Sequence, residues 1–262
     1  MPLTPKRYEI KREEDGFTIS RPGFENCLFS KSSPEAVTRV GAAEYAASLQ
    51  MVPTSLQEDA AVRMEAGGTD DANLYRIGRA VDVSVVGQDG LFYNVHDDTF
   101  DPELSLVLNL TIAEQIEKAH REAAKCLLDR NAGSDLARLV NLLVERGTES
   151  GRIVLAPQAP PVKLSLKSGE RGSEYAQSPH ARTRLGDQSQ AYGEWLAAQG
   201  FEEGYVYTPT VEELRKIGLK DGFAAIWGGG LGCDYFLDGI YGYNRFYVGR
   251  ARGVRNPREF SM

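Results

Sequence analysis

The spacing of apolar positions along this chain changes period several times, and each change marks an element. In RAVDVSVVGQDGLFYNVHDD, residues 79–98, apolar and polar residues alternate on both sides of Gly87-Gln88-Asp89-Gly90. A period of two broken by turn residues predicts a β-hairpin. The period then lengthens to three and four in LTIAEQIEKAHREAAKCLLDRNAG, residues 110–133, where Ile112, Ile116, Ala119, Ala123 and Leu127 fall on one face. Thr111 is the expected N-cap of this helix and Gly133 its stop. SDLARLVNLLVERG, residues 134–147, repeats the design with Ser134 as cap and Leu136, Leu139, Val140 and Leu143 as the stripe. Two consecutive amphipathic helices joined by a short turn predict a helical hairpin.

Upstream, SSPEAVTRVGAAEYAASLQ offers Ser33 as N-cap and Pro34 at the first helical position, and EAGGTDD at 65–71 reads as loop. Downstream, residues 152–184 mix strand pieces, prolines and polar loop, which predicts a link into a second domain with a boundary near residue 150. SQAYGEWLAAQG is a short helix closed by Gly200, with Tyr192, Trp195 and Leu196 on one side. TPTVEELRKIG supplies Thr210 as N-cap, Glu213 three residues on and Gly218 past the end, a capping box with a terminal glycine. From Phe223 to Arg255 the glycines are too frequent for a helix, while Ile, Phe, Tyr and Val favour short strands joined by exposed loops. The expected class is α+β: a mixed region over 1–150 with a β-hairpin and a helical hairpin, then a ligand-binding domain over 151–262.

Composition narrows the function. A chain of 262 residues buries enough surface to fold without metal or disulfide, and its hydrophobic share of 42% and charged share of 26% are those of a globular protein. A net charge of −7 argues against a phosphate-binding surface, so nucleic acid is not an expected partner. Cys27, Cys126 and Cys233 lack the close spacing of a zinc or redox motif and read as thiols in a reducing compartment. The polar N-terminus MPLTPKRYEIKREEDGF has no signal-peptide core and no run of eighteen apolar residues occurs, so cytoplasmic synthesis without membrane insertion is expected.

Catalytic chemistry has thin candidates. His96-Asp97-Asp98 after the hairpin, and His120 three residues after Glu117, could bind a metal or exchange protons if they met in space. The Glu117/His120 spacing suits a surface hydrogen bond equally well. Cys233 follows three glycines, but no histidine stands nearby in sequence to activate it. No Gly-Lys-Ser/Thr follows Gly228–Gly230, so nucleotide binding is not expected.

The stretch FLDGIYGYNRFYVGRARGVR, residues 236–255, interleaves five rings with glycines before its arginines. In a strand alternate side chains face inward, so about half of those rings would be core on any reading. A resemblance bears on the rest. Ala191 to Gly200, followed by the Thr-Pro-Thr turn that opens Thr208 to Gly218, resembles the two helices of C-type-lectin-like domains. That group includes the formylglycine-generating-enzyme-like domains and the variable proteins of diversity-generating retroelements, such as the phage major tropism determinant. AIWGGG at 225–230 and ARGVR at 251–255 are similar to the strands that frame the changing loops of those proteins. The match spans residues 188–262. The segments after the second helix and between the framing strands are shorter here, and the Glu-Pro-Asn, Gln-Pro-Asp and Trp-Asn-Asp tripeptides of calcium-dependent lectins are absent.

The resemblance implies a non-enzymatic scaffold that displays a contact surface, with neither cofactor nor metal and no conventional sugar site. Its contact residues would be Asp234, Tyr235, Asp238, Tyr241, Tyr243, Asn244 and Tyr247, with Trp227, Gly228, Gly229 and Gly253 as framework. Tyrosine and asparagine suit such a role, giving large area and adaptable hydrogen bonds at small entropic cost. The implied partner is a protein or cell-surface receptor, a phage or virion setting fits, and self-association would add avidity. The competing expectation is an intracellular enzyme using His96/Asp97/Asp98 or Cys233.

Overall fold

A computed structural model describes residues 9–13, 16–21, 24–35, 37–66, 78–87, 91–95, 103, 106–107, 110–111, 114, 127–129, 131–134, 137–138, 141–142, 145, 153–155, 162–169, 172–186, 188–207, 223–231, 236–240 and 250–255. These residues form a mixed fold of helices and largely antiparallel sheets.

In one sheet, β1 (Glu9–Glu13), β2 (Gly16–Arg21) and β3 (Phe24–Ser30) form a meander. The C-terminal β14 (Gly253–Arg255) enters beside β3, and the short β4 (Val52–Pro53) lies on its far side. The larger sheet runs in the order β8 (Ile153–Leu155), β6 (Leu91–Val95), β5 (Gly78–Gly87), β11 (Phe223–Leu231), β12 (Phe236–Ile240), β10 (Glu203–Tyr207), β9 (Val162–Ser165). Off this path, β7 (Leu127–Asp129) pairs with β11 and β13 (Arg250–Ala251) pairs with β5. Both sheets take strands from either side of residue 150.

The hairpin forms where the alternation places it: β5 and β6 are antiparallel, with Val83 opposite Val95 and Val86 opposite Phe92. The expected helical hairpin does not. Residues 103, 106–107, 110–111 and 114 are helical, so Thr111 is no N-cap; its hydroxyl donates to the Val107 carbonyl one turn back, 2.7 Å away. Leu127–Asp129, expected to continue that helix toward Gly133, is instead strand β7 on Phe223–Ala225. A long-range ladder therefore overrides the local period, and a strand separates the two helical segments. Ser134 does cap the second, accepting the Ala137 N–H at 3.2 Å.

Helix α1 (Arg39–Ser48) starts later than expected. Its N-cap is Thr38, whose side chain accepts from Gly41 N–H at 3.2 Å. The Ser33 hydroxyl donates to the Glu35 carbonyl at 2.6 Å, closing a local turn rather than receiving a helix amide. Helix α2 (Leu56–Ala66) opens on a reciprocal capping box. Glu58 N–H donates to Ser55 Oγ at 3.3 Å, while Ser55 N–H donates to Glu58 Oε2 at 2.9 Å.

In the stretch expected as strand and loop, two short helices follow β9. Ser173 caps α3 (Glu174–Gln177), and Ser178 with Pro179 at the first turn caps α4 (Pro179–Leu185). Helix α5 (Gln188–Ala198) agrees with the sequence reading and ends at Gly200, whose φ is 93°. Phe201 N–H bonds the Leu196 carbonyl and Gly200 N–H the Ala197 carbonyl, a Schellman closure that needs the left-handed backbone glycine supplies.

One core gathers Leu56 and Ala60 of α2 with Leu164, Leu166, Tyr175, Ala181, Leu185, Tyr192 and Leu196. Trp195 packs at its edge and stacks on Tyr192 with ring centroids 5.5 Å apart. A second core holds Cys27, Phe29, Val52, Val254 and the next two residues of α2, Ala61 and Val62. Each fully buried Leu among these contributes about 1.5–3 kcal/mol of transfer free energy. Helix α2 is thus shared by both cores and joins the N-terminal meander to the helices beyond residue 170.

Candidate display surface

The framework begins with β11. Its glycine run lies between β5 and β12, with Gly228 opposite Ile240, Gly229 opposite Gly239 and Gly230 opposite Asp238. On the β5 side, Trp227 is opposite Ser84 and the register slips between Gly228 and Gly230, a bulge within the glycine run. β12 is paired on its other edge too, parallel to β10, where Asp238 is opposite Tyr207.

These pairings bracket the candidate contact residues. Leu231 stands opposite Leu237, so residues 232–235 connect two antiparallel neighbours. Ile240 stands beside Gly228 of β11, whereas Arg250 stands beside Gly78 of β5, the next strand across the sheet. Residues 241–249 connect those two points. Of the expected contact residues, Asp238 is placed in β12, while Asp234, Tyr235, Tyr241, Tyr243, Asn244 and Tyr247 lie outside the described residues. The capping box expected at Thr210 and Glu213 lies outside them as well. So do His96, Asp97, Asp98, His120, Cys126 and Cys233; Cys27 is buried in the second core. Among the described residues no group of three His, Cys, Asp or Glu could hold a metal ion, and no helix is long and apolar enough to cross a membrane.

The C-terminal frame, ARGVR, is where the structure adds most. Ala251 pairs with Arg79 in the larger sheet, Gly253 pairs with Pro53 in the smaller one, and Arg252 lies between them. The Arg252 side chain is buried, and its Nε is 3.7 Å from Oδ1 of Asp59 on α2, also buried. The Arg252 carbonyl accepts Thr54 N–H at 3.3 Å, and Gly253 N–H donates to Ser30 Oγ at 2.9 Å. The sequence reading took ARGVR as framework but missed Asp59 as the partner of its first arginine. The only local signal was the Ser55-Leu56-Gln57-Glu58 capping pattern, which fixes where α2 starts and hence where Asp59 falls.

A second buried polar group lies on α4. Burial, and to a smaller extent the Arg184 guanidinium one turn on, push the His180 imidazole from 6.5 down to about 3. His180 is therefore neutral near pH 7, and its place on a buried helix face beside Ala181, Arg184 and Leu185 makes it part of the interior.

No protein-family model matches this chain, and no curated protein does. Among solved structures, the chain is similar to one described as accommodating massive sequence variation in Nanoarchaeota by the C-type lectin fold. The two are 12% identical over 96% of this chain and 99% of that one, with a TM-score of 0.45.

Proposed function

We propose that the protein is a ligand-display protein, binding without catalysis, in which a C-type-lectin-like scaffold presents Asp234, Tyr235, Asp238, Tyr241, Tyr243, Asn244 and Tyr247 to a protein or cell-surface receptor. The observation that carries the reading is the bracketing of these residues by paired strands. Asp238 sits in a strand flanked on both edges, and the segments 232–235 and 241–249 leave from and return to residues held in the same sheet. A fixed frame with variable content is what adaptable binding requires, because framework pairing is made by backbone and is indifferent to which side chains the segments carry. The aromatic and Asn/Asp content of those segments supplies contact area and hydrogen-bond groups at small entropic cost. Diversification by a retroelement, in a phage or prophage, completes the proposal.

The test is made on DNA. The few kilobases around the gene are sequenced and searched for a near-copy of the region encoding residues 227–255 and a neighbouring reverse transcriptase. A copy differing only where the template holds adenine is the expected result. Its absence would remove the diversified display surface from the reading and return the rings to ordinary strand packing.

A further inference from the structure

We propose that Glu174 guards the free edge of the larger sheet, keeping strand β9 from pairing with the β9 of a second copy of this chain. The guard acts whether or not the chain displays a ligand-binding surface. β9 ends the order of that sheet, and β10 is its partner among the described strands. On the β10 side, Leu164 is opposite Gly204, and Leu166 N–H donates to the Glu202 carbonyl at 3.0 Å. Main-chain groups alternate in direction along an antiparallel ladder, so the amides of Lys163, Ser165 and Lys167 point away from β10. Lys163, Lys167 and Glu174 are all exposed, so the edge is open to water there.

An open edge is a template for another strand. An antiparallel copy centred on Leu164 would set Lys163 of one chain opposite Ser165 of the other, twice over, each pair exchanging both of its main-chain bonds. Here Ser165 N–H donates instead to Glu174 Oε2 at 3.1 Å, and Lys167 N–H to Ser165 Oγ at 3.2 Å. Each pair therefore lacks the bond that Ser165 would donate, and an incoming strand must bury the carboxylate or displace it. Glu174 is held where it can do this. Gly169 and Gly172 exchange main-chain bonds of 3.1 Å, which turns the chain back soon after β9. Ser173 then caps α3, and the fully buried Tyr175 lies against Gly204 of β10, a position with no room for a side chain. The carboxylate at 174 is thereby brought to the edge of the strand it guards.

Sedimentation velocity on the full chain, across a wide range of concentration, tests this. Glu174→Ala is expected to self-associate about ten-fold more tightly than wild type or more, because each copy recovers an edge amide and no longer carries a charge to bury. Lys163→Pro added to it is expected to restore wild-type sedimentation. The Lys163 amide faces away from β10, so proline there spares the existing ladder and blocks the added strand. Peptides covering residues 162–167 should also be protected from amide hydrogen exchange in the associated species. If Glu174→Ala does not fold, Glu174→Asp carries the same comparison, since it keeps an acid in the first turn of α3 but has a shorter reach. Wild-type sedimentation in the variant that folds overturns the guard, as does association that survives Lys163→Pro or leaves 162–167 unprotected.

Discussion

Replacing Gly253 by alanine tests how tightly the closing strand is held. A Cβ built there stands 2.6 Å from Met51 Cβ, 3.0 Å from its Sδ and 3.3 Å from its Cγ. Saturated carbons sit at about 3.5–4.0 Å, so relief needs about 1 Å of added separation. The sulfur and Cγ can swing aside, since methionine has soft torsions, but Met51 Cβ moves only with its backbone. β14 is equally constrained. Val254 is opposite Phe29 on one side and Val52 on the other, and Gly253 N–H is bonded to Ser30 Oγ. Overpacking a buried site costs about 1–3 kcal/mol, and with backbone pinned on both sides of the clash Gly253→Ala belongs at the upper end, about 3 kcal/mol. At about 2–4 °C per kcal/mol for a chain of this size, the expected fall in Tm is about 6–12 °C. The assay is urea unfolding followed by far-UV circular dichroism, with partner substitutions at Met51. Met51→Ala removes the sulfur and Cγ but keeps the clashing Cβ, so its coupling to Gly253→Ala should be small. Met51→Gly removes that atom, and its coupling should recover most of the loss once its own cost is subtracted. A Gly253→Ala protein within about 0.5 kcal/mol of wild type, or equal couplings for the two Met51 variants, refutes the reasoning.

The buried imidazole makes a pH prediction. With His180 at about 3 in the folded chain and 6.5 when unperturbed, the unfolded chain binds a proton that the folded one does not between those values. Its contribution to stability is full above pH 6.5 and is lost as pH falls toward 3, with a slope approaching about 1.4 kcal/mol per pH unit. Urea midpoints from pH 6.5 to 4 should fall more steeply for wild type than for His180→Gln, and parallel curves would show that the histidine titrates normally. At the start of α2, Ser55→Ala should cost about 1 kcal/mol, and Glu58→Ala added to it should cost less than the two apart, since each side chain bonds the other's backbone amide. Strict additivity in the double-mutant cycle would show that the box does not act as a unit.

Why some of this was legible in the sequence and some not comes down to the range over which each signal acts. The hairpin at 78–95 and helix α5 with its glycine closure are specified by neighbours, and both stand where the period places them. The same Ser-Pro signature occurs twice, and the two serine hydroxyls bond differently. At Ser178-Pro179 the hydroxyl accepts the Ala181 amide and α4 begins. At Ser33-Pro34 the buried serine donates instead to the Glu35 carbonyl two residues on, and Thr38 takes over the cap. Leu127-Leu128 suits a helix face locally, but β11 at the far end of the chain offers it a ladder. The framing strands of the candidate site were legible because glycine runs and ARGVR are strings, whereas the Arg252–Asp59 pair joins residues far apart in sequence and leaves no period.

Helix α2 shows the same limit at the level of domains. Glu58, Asp59, Ala60, Ala61 and Val62 are five successive buried positions, so α2 has no solvent face there for a 3.6-residue period to reveal. Two acids in a row read as surface in any sequence. Here Glu58 is taken up by the Ser55 cap and Asp59 faces Arg252, which lets α2 be buried on both sides at its polar end. One side of α2 serves each core. The helix that joins the two cores also faces Arg252, where the chain crosses from the larger sheet to the smaller, so an element of the N-terminal half holds the C-terminal strand in place.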